Sequence, residues 1–283
     1  MLTSIRGLTA ATLISGLALS AAPAFAEDTA SVEVTPETVI ITTDFSAEDL
    51  DKAVEAVEAE KVSYIGAESG FDFSANVGLV TEYRFRGVDL SGGDIAVQGG
   101  LDLSHSSGIY VGTWASTLDD DTVGYGDMEL DIYAGYSTEF ANGMSFDVGG
   151  IFYIYPDAGA GDFDYWELYS SVGFSVGPAG ATVGIAYAPE QDSLLGDDNL
   201  YVYTDLSVGI PNTPVTLTGH LGYTDGFLTF TDDGDAFDWS IGAEATFGPA
   251  TVGVSYIDAE GDYLPGEYKF TDSAIVGSIT LSF

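Results

Sequence analysis

The sequence predicts an all-β fold, a transmembrane antiparallel up-and-down β-barrel of about 12 strands, preceded by a short N-terminal periplasmic extension with one helix. Three observations support this prediction. From Phe71 onward, apolar and polar residues alternate in runs of about ten, which is the period of a strand. Long polar connections between the runs alternate with short turns. The mean hydropathy is +0.18 although the net charge is −39, so apolar and acidic residues must lie on different faces.

Residues 1–26 are predicted to be a secretory signal peptide. Arg6 precedes an apolar stretch without acidic residues, and Ala24, Phe25 and Ala26 fit the small-x-small cleavage pattern. The apolar stretch is too short for a membrane-spanning helix. Because the chain contains no cysteine, disulfides and thiolate metal sites are excluded.

Residues 27–70 are predicted to form an acidic periplasmic extension. Ser46 precedes two acidic residues, and the apolar residues that follow share one face, as in a capped amphipathic helix. Its role has several interpretations: a tether, a partial plug, the helix before an autotransporter barrel, or an adaptor that becomes ordered on membrane assembly. The adaptor is the favoured interpretation, because the segment is too short to be a sizeable passenger.

Residues 71–283 contain the predicted strands. In order, their centres are FDFSANVGLVTEYRF, IAVQGGLDLS, IYVGTWAS, MELDIYAGYS, MSFDVGGIFYIY, YWELYSSVGFSV, ATVGIAYA, LYVYTDLSVGI, VTLTGHLGY, FDWSIGAEATF, TVGVSYI and SAIVGSITLSF. Long polar loops follow the odd-numbered runs, whereas the even-numbered runs end in the short turns HSSG, EFANG, GPAG, PNTP and GPA. This alternation is typical of an outer-membrane barrel with short periplasmic turns and both ends of the barrel in the periplasm.

The last strand shows the expected faces of the barrel. Leu281, Ile279 and Ile275 alternate with small polar residues and are predicted to face lipid. The terminal Phe283 is predicted to lie in the inner aromatic girdle and to act as the signal for the outer-membrane assembly machinery. The same phase predicts further girdle aromatics, namely Phe71, Phe73 and Phe247 at the inner edge and Tyr83, Phe85, Phe237 and Trp239 at the outer edge.

The opposite phase predicts a charged lumen. The residues predicted to line it are Glu82, Arg84, Arg86, Asp102, Glu129, Asp131, Asp147, Glu167, Asp205, Asp238 and Glu244, together with His220. Both arginines are predicted on the first strand, where they either form a constriction opposite acids or brace a filled interior. Several tyrosines also point inward and are candidates to narrow the lumen, namely Tyr133, Tyr153, Tyr165, Tyr169, Tyr201 and Tyr203.

Other classes of function find little support in the sequence. The loop from Asp119 to Leu130 resembles a calcium loop, but Val123 and Leu130 replace ligands that such a loop requires, so no metal and no cofactor is predicted. No G-x-S-x-G motif accompanies the two histidines, so no catalytic residue is assigned and the protein is not expected to be an enzyme. The acidic net charge argues against nucleic acid as a partner.

The segment NVGLVTEYRFRGVDLSGGDIAVQGGLDLSHSSGIYVGTWAS, followed by ELDIYAGY, resembles the TorF family of porins, also called the Gcw_chp family, of Gram-negative outer membranes. The resemblance implies a location in the cell outer membrane, contact with its lipids and passive transport of small solutes. Nine predicted inward carboxylates against two arginines add an expected preference for cations. The alternative is a structural or adhesin-like barrel with a filled lumen.

Overall fold

A computed structural model of the chain describes residues 70–159, 163–261 and 270–283, which form a closed barrel of 12 antiparallel strands. The barrel strands are β1 Phe71–Val80, β4 Ala96–His105, β5 Ile109–Thr117, β6 Met128–Glu139, β7 Met144–Ile154, β8 Tyr165–Val176, β9 Ala179–Gln191, β10 Asp197–Gly209, β11 Val215–Gly226, β12 Asp235–Phe247, β13 Ala250–Ala259 and β14 Ala274–Ser282. Two short strands, β2 Arg84–Phe85 and β3 Val88–Asp89, form a separate hairpin. The predicted signal peptide and helix lie outside the described residues.

The barrel closes because its first strand pairs with its last. Val77 of β1 lies opposite Leu281 of β14 on one side and opposite Gly99 of β4 on the other. Every other barrel strand pairs with its neighbours in the sequence. A closed sheet leaves no row of unpaired backbone groups, which a bilayer could not satisfy. The predicted up-and-down topology is confirmed.

The two ends of the barrel carry different connections. At the short-turn end the connections are residues 106–108, 140–143, 177–178, 210–214 and 248–249. At the long-loop end they are residues 81–95, 118–127, 155–164, 192–196, 227–234 and 260–273. The connection 192–196 is shorter than predicted, because β9 and β10 extend into the expected loop. One α-helix, α1 Asp120–Val123, lies at the long-loop end, and no helix among the described residues is long and apolar enough to cross a membrane.

Alternation along the strands separates an apolar outer face from a polar inner face. Leu79, Leu101 and Ile132 are about half exposed on the outside, as are Phe73 and Phe247 near the short-turn end. Among the described residues, outward acidic side chains on the strands occur only near the long-loop end, namely Asp198, Asp225, Asp235 and Asp258. The central outer band therefore carries no charge, as a lipid-facing surface requires.

Candidate functional site

The connection between β1 and β4, residues 81–95, folds into the lumen, and we call it the strap. It contains the β2–β3 hairpin. Tyr83, Arg84, Arg86, Val88 and Leu90 are each less than a tenth exposed. An ordinary surface loop would leave such side chains in water. The strap therefore fills the part of the lumen that lies next to the long-loop end.

The strap corrects the predicted positions of Glu82, Arg84 and Arg86. These residues are predicted on the first strand, but β1 ends at Val80. The outer-girdle positions predicted for Tyr83 and Phe85 are wrong for the same reason, since Tyr83 is buried and Phe85 packs on the ring of Tyr153. Arg86 and Gly87 adopt φ angles of 48° and 78°. These left-handed values reverse the chain between β2 and β3, at the tip of the hairpin.

Hydrogen bonds join the two arms of the strap near its base. The Tyr83 amide donates to Ser91 Oγ (2.8 Å), and the Leu90 amide donates to the Tyr83 carbonyl (2.8 Å). The carboxylate of Asp89 accepts from the Ser91 amide (2.8 Å) and from the Gly93 amide (2.6 Å). The arms are therefore fixed to each other independently of the barrel wall.

Arg86, at the tip of the strap, contacts the opposite wall. Its Nη2 donates to Glu167 Oε2 at 2.6 Å, and its guanidinium carbon lies 4.4 Å from the centre of the Tyr201 ring. Glu167 lies on β8, which is five strands from β1 around the ring and so nearly opposite it. A methyl group at Gly87 would meet Asp238 and Ala259, so the tip also touches β12 and β13. The strap therefore crosses the lumen.

Arg84 connects the strap to the long-loop end. Its Nη1 donates to the carbonyls of Gly87 and Phe270, both at 2.9 Å. It also forms an ion pair with Glu82. Burial raises the pKa of the Glu82 carboxyl, although Arg84 opposes this shift. The two arginines thus act differently: Arg84 holds the strap to a neighbouring loop, whereas Arg86 holds it to the wall.

Three carboxylates lie beneath the strap on one side of the lumen. Glu129 accepts from the Tyr83 hydroxyl (3.2 Å), and Glu167 accepts from the Tyr153 hydroxyl (3.0 Å) as well as from Arg86. Asp131 is fully buried, and neither of its carboxylate oxygens has a hydrogen-bond partner. Within the described residues, no group of three or more histidine, cysteine or acidic side chains is arranged to hold a metal ion.

His220 lies between two acids on the other side of the lumen. Its Nδ1 is 2.6 Å from Asp205 and its Nε2 is 3.0 Å from Asp238. The Tyr201 hydroxyl is also 2.8 Å from Nε2. Both ring nitrogens therefore have partners within the wall. The predicted inward positions of Asp205, His220 and Asp238 agree with this arrangement.

The half of the lumen next to the short-turn end is more open. Asp72, at the inward phase of β1, is exposed, and Asp102 is partly exposed and accepts from Tyr133. Asp147 accepts from the Tyr110 hydroxyl (2.8 Å), which in turn lies 2.6 Å from the Tyr169 hydroxyl. Glu244 also points inward and is mostly buried. No basic side chain except His220 is found on the inward strand positions of this half within the described residues.

Five of the inward tyrosines lie along the wall. Each of them covers a glycine of the adjacent strand, where an added methyl group would meet the tyrosine ring or its hydroxyl at 2.2–2.7 Å. The tyrosine–glycine pairs are Tyr133 with Gly112, Tyr110 with Gly135, Tyr169 with Gly149, Tyr203 with Gly184 and Tyr201 with Gly222. In contrast, Tyr153 and Tyr165 stack on each other with ring centres 4.4 Å apart, and Phe85 of the strap packs on Tyr153.

Comparison with known proteins supports a family assignment. The profile of a family described as "Bacterial protein of unknown function (Gcw_chp)" matches residues 64–283. The chain belongs to the Gcw_chp family. No functionally curated protein matches its sequence. In this chain, the strap contains the segment YRFRG.

The barrel of this Gcw_chp protein is similar to solved porin structures. It superposes on the KdgM porin with a TM-score of 0.51 and 8% identity, covering 74% of this chain and 99% of KdgM. The NanC porin gives a TM-score of 0.51 and 12% identity, covering 75% of this chain and 99% of NanC. KdgM is also known in complex with disordered oligogalacturonate. At these identities the similarity is one of fold.

The sequence predicted the inward carboxylates but missed the strap. Asp102, Glu129, Asp131, Asp147 and Glu167 all occupy inward strand positions. The remaining predicted acids, Asp205, Asp238 and Glu244, do so as well. In contrast, the segment EYRFRG continues the alternation of β1, so the pattern does not indicate that the strand has ended. The only local signals were Gly87 and the Gly92–Gly93 pair, which allow left-handed turns.

Proposed function

We propose that this protein is an outer-membrane channel for the passive diffusion of small solutes, with a preference for cations. The observation that carries the proposal is the division of a closed barrel into an outside with a charge-free, apolar central band and a polar inside. This division is what a membrane-spanning barrel needs. The similar fold of the KdgM and NanC porins and the resemblance to TorF porins support it.

The strap limits the passage of solutes through the proposed channel. It crosses the lumen next to the long loops, whereas exposed polar side chains line the other half. Solutes must therefore pass beside the strap or displace it. Because short turns typically face the periplasm, we place the strap at the cell surface.

The preference for cations follows from the charges of the lumen. Arg86 of the strap is neutralised by Glu167, and His220, the one basic side chain at an inward strand position among the described residues, lies between two acids. Asp72, Asp102 and Asp147 have no basic partner among the described residues. Two unit charges about 7 Å apart interact by roughly 2 kcal/mol at an effective dielectric constant near 20, which is enough to bias permeation severalfold.

A filled barrel without transport is the second candidate, and the burial of the strap favours it. Arg84, Arg86 and Asp89 are each at most 6% exposed, as in a protein core. Such a barrel would serve as a structural or adhesin-like element of the outer membrane. The two proposals differ in whether the strap leaves, or opens, a continuous path for water.

Single-channel recording distinguishes the two proposals. The full chain without its predicted signal peptide is refolded and inserted into a planar bilayer in potassium chloride. A variant in which a Gly-Ser linker replaces residues 83–90 is recorded beside it. A channel predicts discrete current steps that are larger in the variant, or steps that appear only in the variant. Absence of current from both proteins, each shown to be folded by heat-modifiable migration, would favour the filled barrel.

A further inference from the structure

The guanidinium of Arg86 occupies a position on the barrel wall that has the groups of a cation-binding site. Glu167 supplies a carboxylate at 2.6 Å, and the centre of the Tyr201 ring lies 4.4 Å from the guanidinium carbon. A carboxylate combined with an aromatic face is a typical arrangement for binding a guanidinium group. Arg86 therefore marks a place where the wall binds a cation.

The wall groups around this guanidinium are positioned without the strap. The hydroxyl of Tyr153 donates to Glu167 Oε2 at 3.0 Å, and the hydroxyl of Tyr201 lies 2.8 Å from Nε2 of His220. These contacts join β7 to β8 and β10 to β11, so no residue of the strap takes part in them. The carboxylate and the ring therefore have supports that remain when the strap moves away.

The strand between Glu167 and Tyr201 leaves room for the guanidinium. Glu167 lies on β8 and Tyr201 on β10, and the inward residues of β9 at this level are Ala186 and Ala188. Ala186 is directly opposite Tyr201 in the strand pairing. Larger side chains on β9 would fill the space between the carboxylate and the ring. The head of Arg86 therefore vacates a space of its own size when it leaves the wall.

Arg86 uses only part of what this site offers. Its Nη2 pairs with Glu167 Oε2, whereas Nη1 of Arg86 and Oε1 of Glu167 have no hydrogen-bond partner. Guanidinium and carboxylate groups pair more strongly through two parallel hydrogen bonds. A free guanidinium is not attached to a backbone, so it can turn to form both bonds. This additional bond offsets part of the advantage that Arg86 has as a group of the same chain.

We propose that Glu167 and Tyr201 form a binding site for small solutes that carry a guanidinium group, and that Arg86 competes with these solutes for it. This inference rests on the proposed channel function, because a solute reaches the wall only when the strap moves away. A solute bound to Glu167 prevents Arg86 from returning and keeps the strap undocked. Solutes of this class therefore open their own path through the barrel.

The variant Arg86→Ala empties the site, and N-ethylguanidinium is the matching probe, because it has the atoms of the arginine side chain beyond Cβ. A cysteine at Val88 of the strap reports undocking through its rate of reaction with a thiol label. In Arg86→Ala the probe should slow this labelling at least threefold and saturably, since it neutralises Glu167 and allows the strap to return. In the chain that retains Arg86, the same probe should accelerate labelling, because it competes with the arginine.

Two controls separate binding from effects of salt and charge. The neutral analogue N-ethylurea, and potassium chloride at equal concentration, should leave both labelling rates within twofold. Arg86→Ala combined with Glu167→Gln keeps the emptied space but removes the carboxylate, and it should not respond to the probe. An equal response to N-ethylurea, or a response in this double variant, would overturn the site.

The test also covers a variant that does not fold. Folding of each protein is checked by heat-modifiable migration, and a folded Arg86→Ala that does not respond to the probe would overturn the site. If Arg86→Ala does not fold, the chain with Arg86 decides, since labelling that the probe fails to accelerate would overturn the competition. Labelling needs no current, so a conducting barrel without these responses would contradict this inference alone, whereas a responding barrel without current would contradict the channel alone.

Discussion

Replacing Arg86 with glutamine should release the strap from the wall. The change removes the guanidinium that pairs with Glu167 at 2.6 Å and that lies over two aromatic rings. Loss of one partner from a buried ion pair typically costs about 3–5 kcal/mol, because the other charge stays buried and uncompensated. Since each 1.4 kcal/mol is about a tenfold change in an equilibrium constant, the ratio of docked to undocked strap should fall by at least about a hundredfold.

The assay is single-channel conductance of wild type and Arg86→Gln under identical salt. We expect larger or longer openings in the variant, and partial recovery of the wild-type trace in the double variant Arg86→Gln with Glu167→Gln, which leaves no buried charge at this contact. Access to the strap provides a second measurement, since a cysteine at Val88 should react with a thiol label faster in the variant. Unchanged conductance together with unchanged labelling would refute the role of Arg86 in holding the strap to the wall.

Three further predictions concern orientation, packing and pH. A cysteine at Asp121, on the long-loop end, should be labelled from outside intact cells, whereas one at Asn142, on the short-turn end, should not; the opposite pattern would invert the orientation. Gly184→Ala should destabilise the barrel by about 1–3 kcal/mol, because its methyl group would meet the Tyr203 ring, whereas the outward Gly219→Ala should be nearly neutral in urea unfolding. Folding raises the pKa of Glu82, so the free energy of unfolding should fall as the pH rises above the ordinary pKa of 4.5. Glu82→Gln should reduce this fall. An unchanged pH profile in that variant would exclude Glu82 as the source of the pH dependence.

The barrel could be predicted from sequence because alternate residues of each strand face two different environments, the lipid and the lumen. Lipid selects apolar side chains such as Ile275 and Ile279, and the lumen selects polar ones such as Asp131 and Glu167. Strand pairing then follows from short turns and the closed sheet. The alternation and the turns both depend on residues that are close in the sequence, so a single sequence is enough to predict the strands and their pairing.

The strap could not be predicted because its position depends on contacts far away in the sequence. Arg86 is 81 residues from Glu167, and Arg84 is 186 residues from Phe270. Locally, Tyr83 and Phe85 continue the alternation of β1, although β1 ends at Val80. The orientation of five inward tyrosines was missed for a related reason, since each of these rings lies over a glycine of a neighbouring strand.

The reversal potential of the open barrel in a potassium chloride gradient tests the central claim most directly. A lumen in which acids outnumber bases should favour potassium over chloride, and the preference should weaken when Asp102 and Asp147 are changed to asparagine together. Preference for chloride in the wild-type barrel, or a reversal potential that does not respond to this double change, would contradict the account of the lumen as a cation-preferring path.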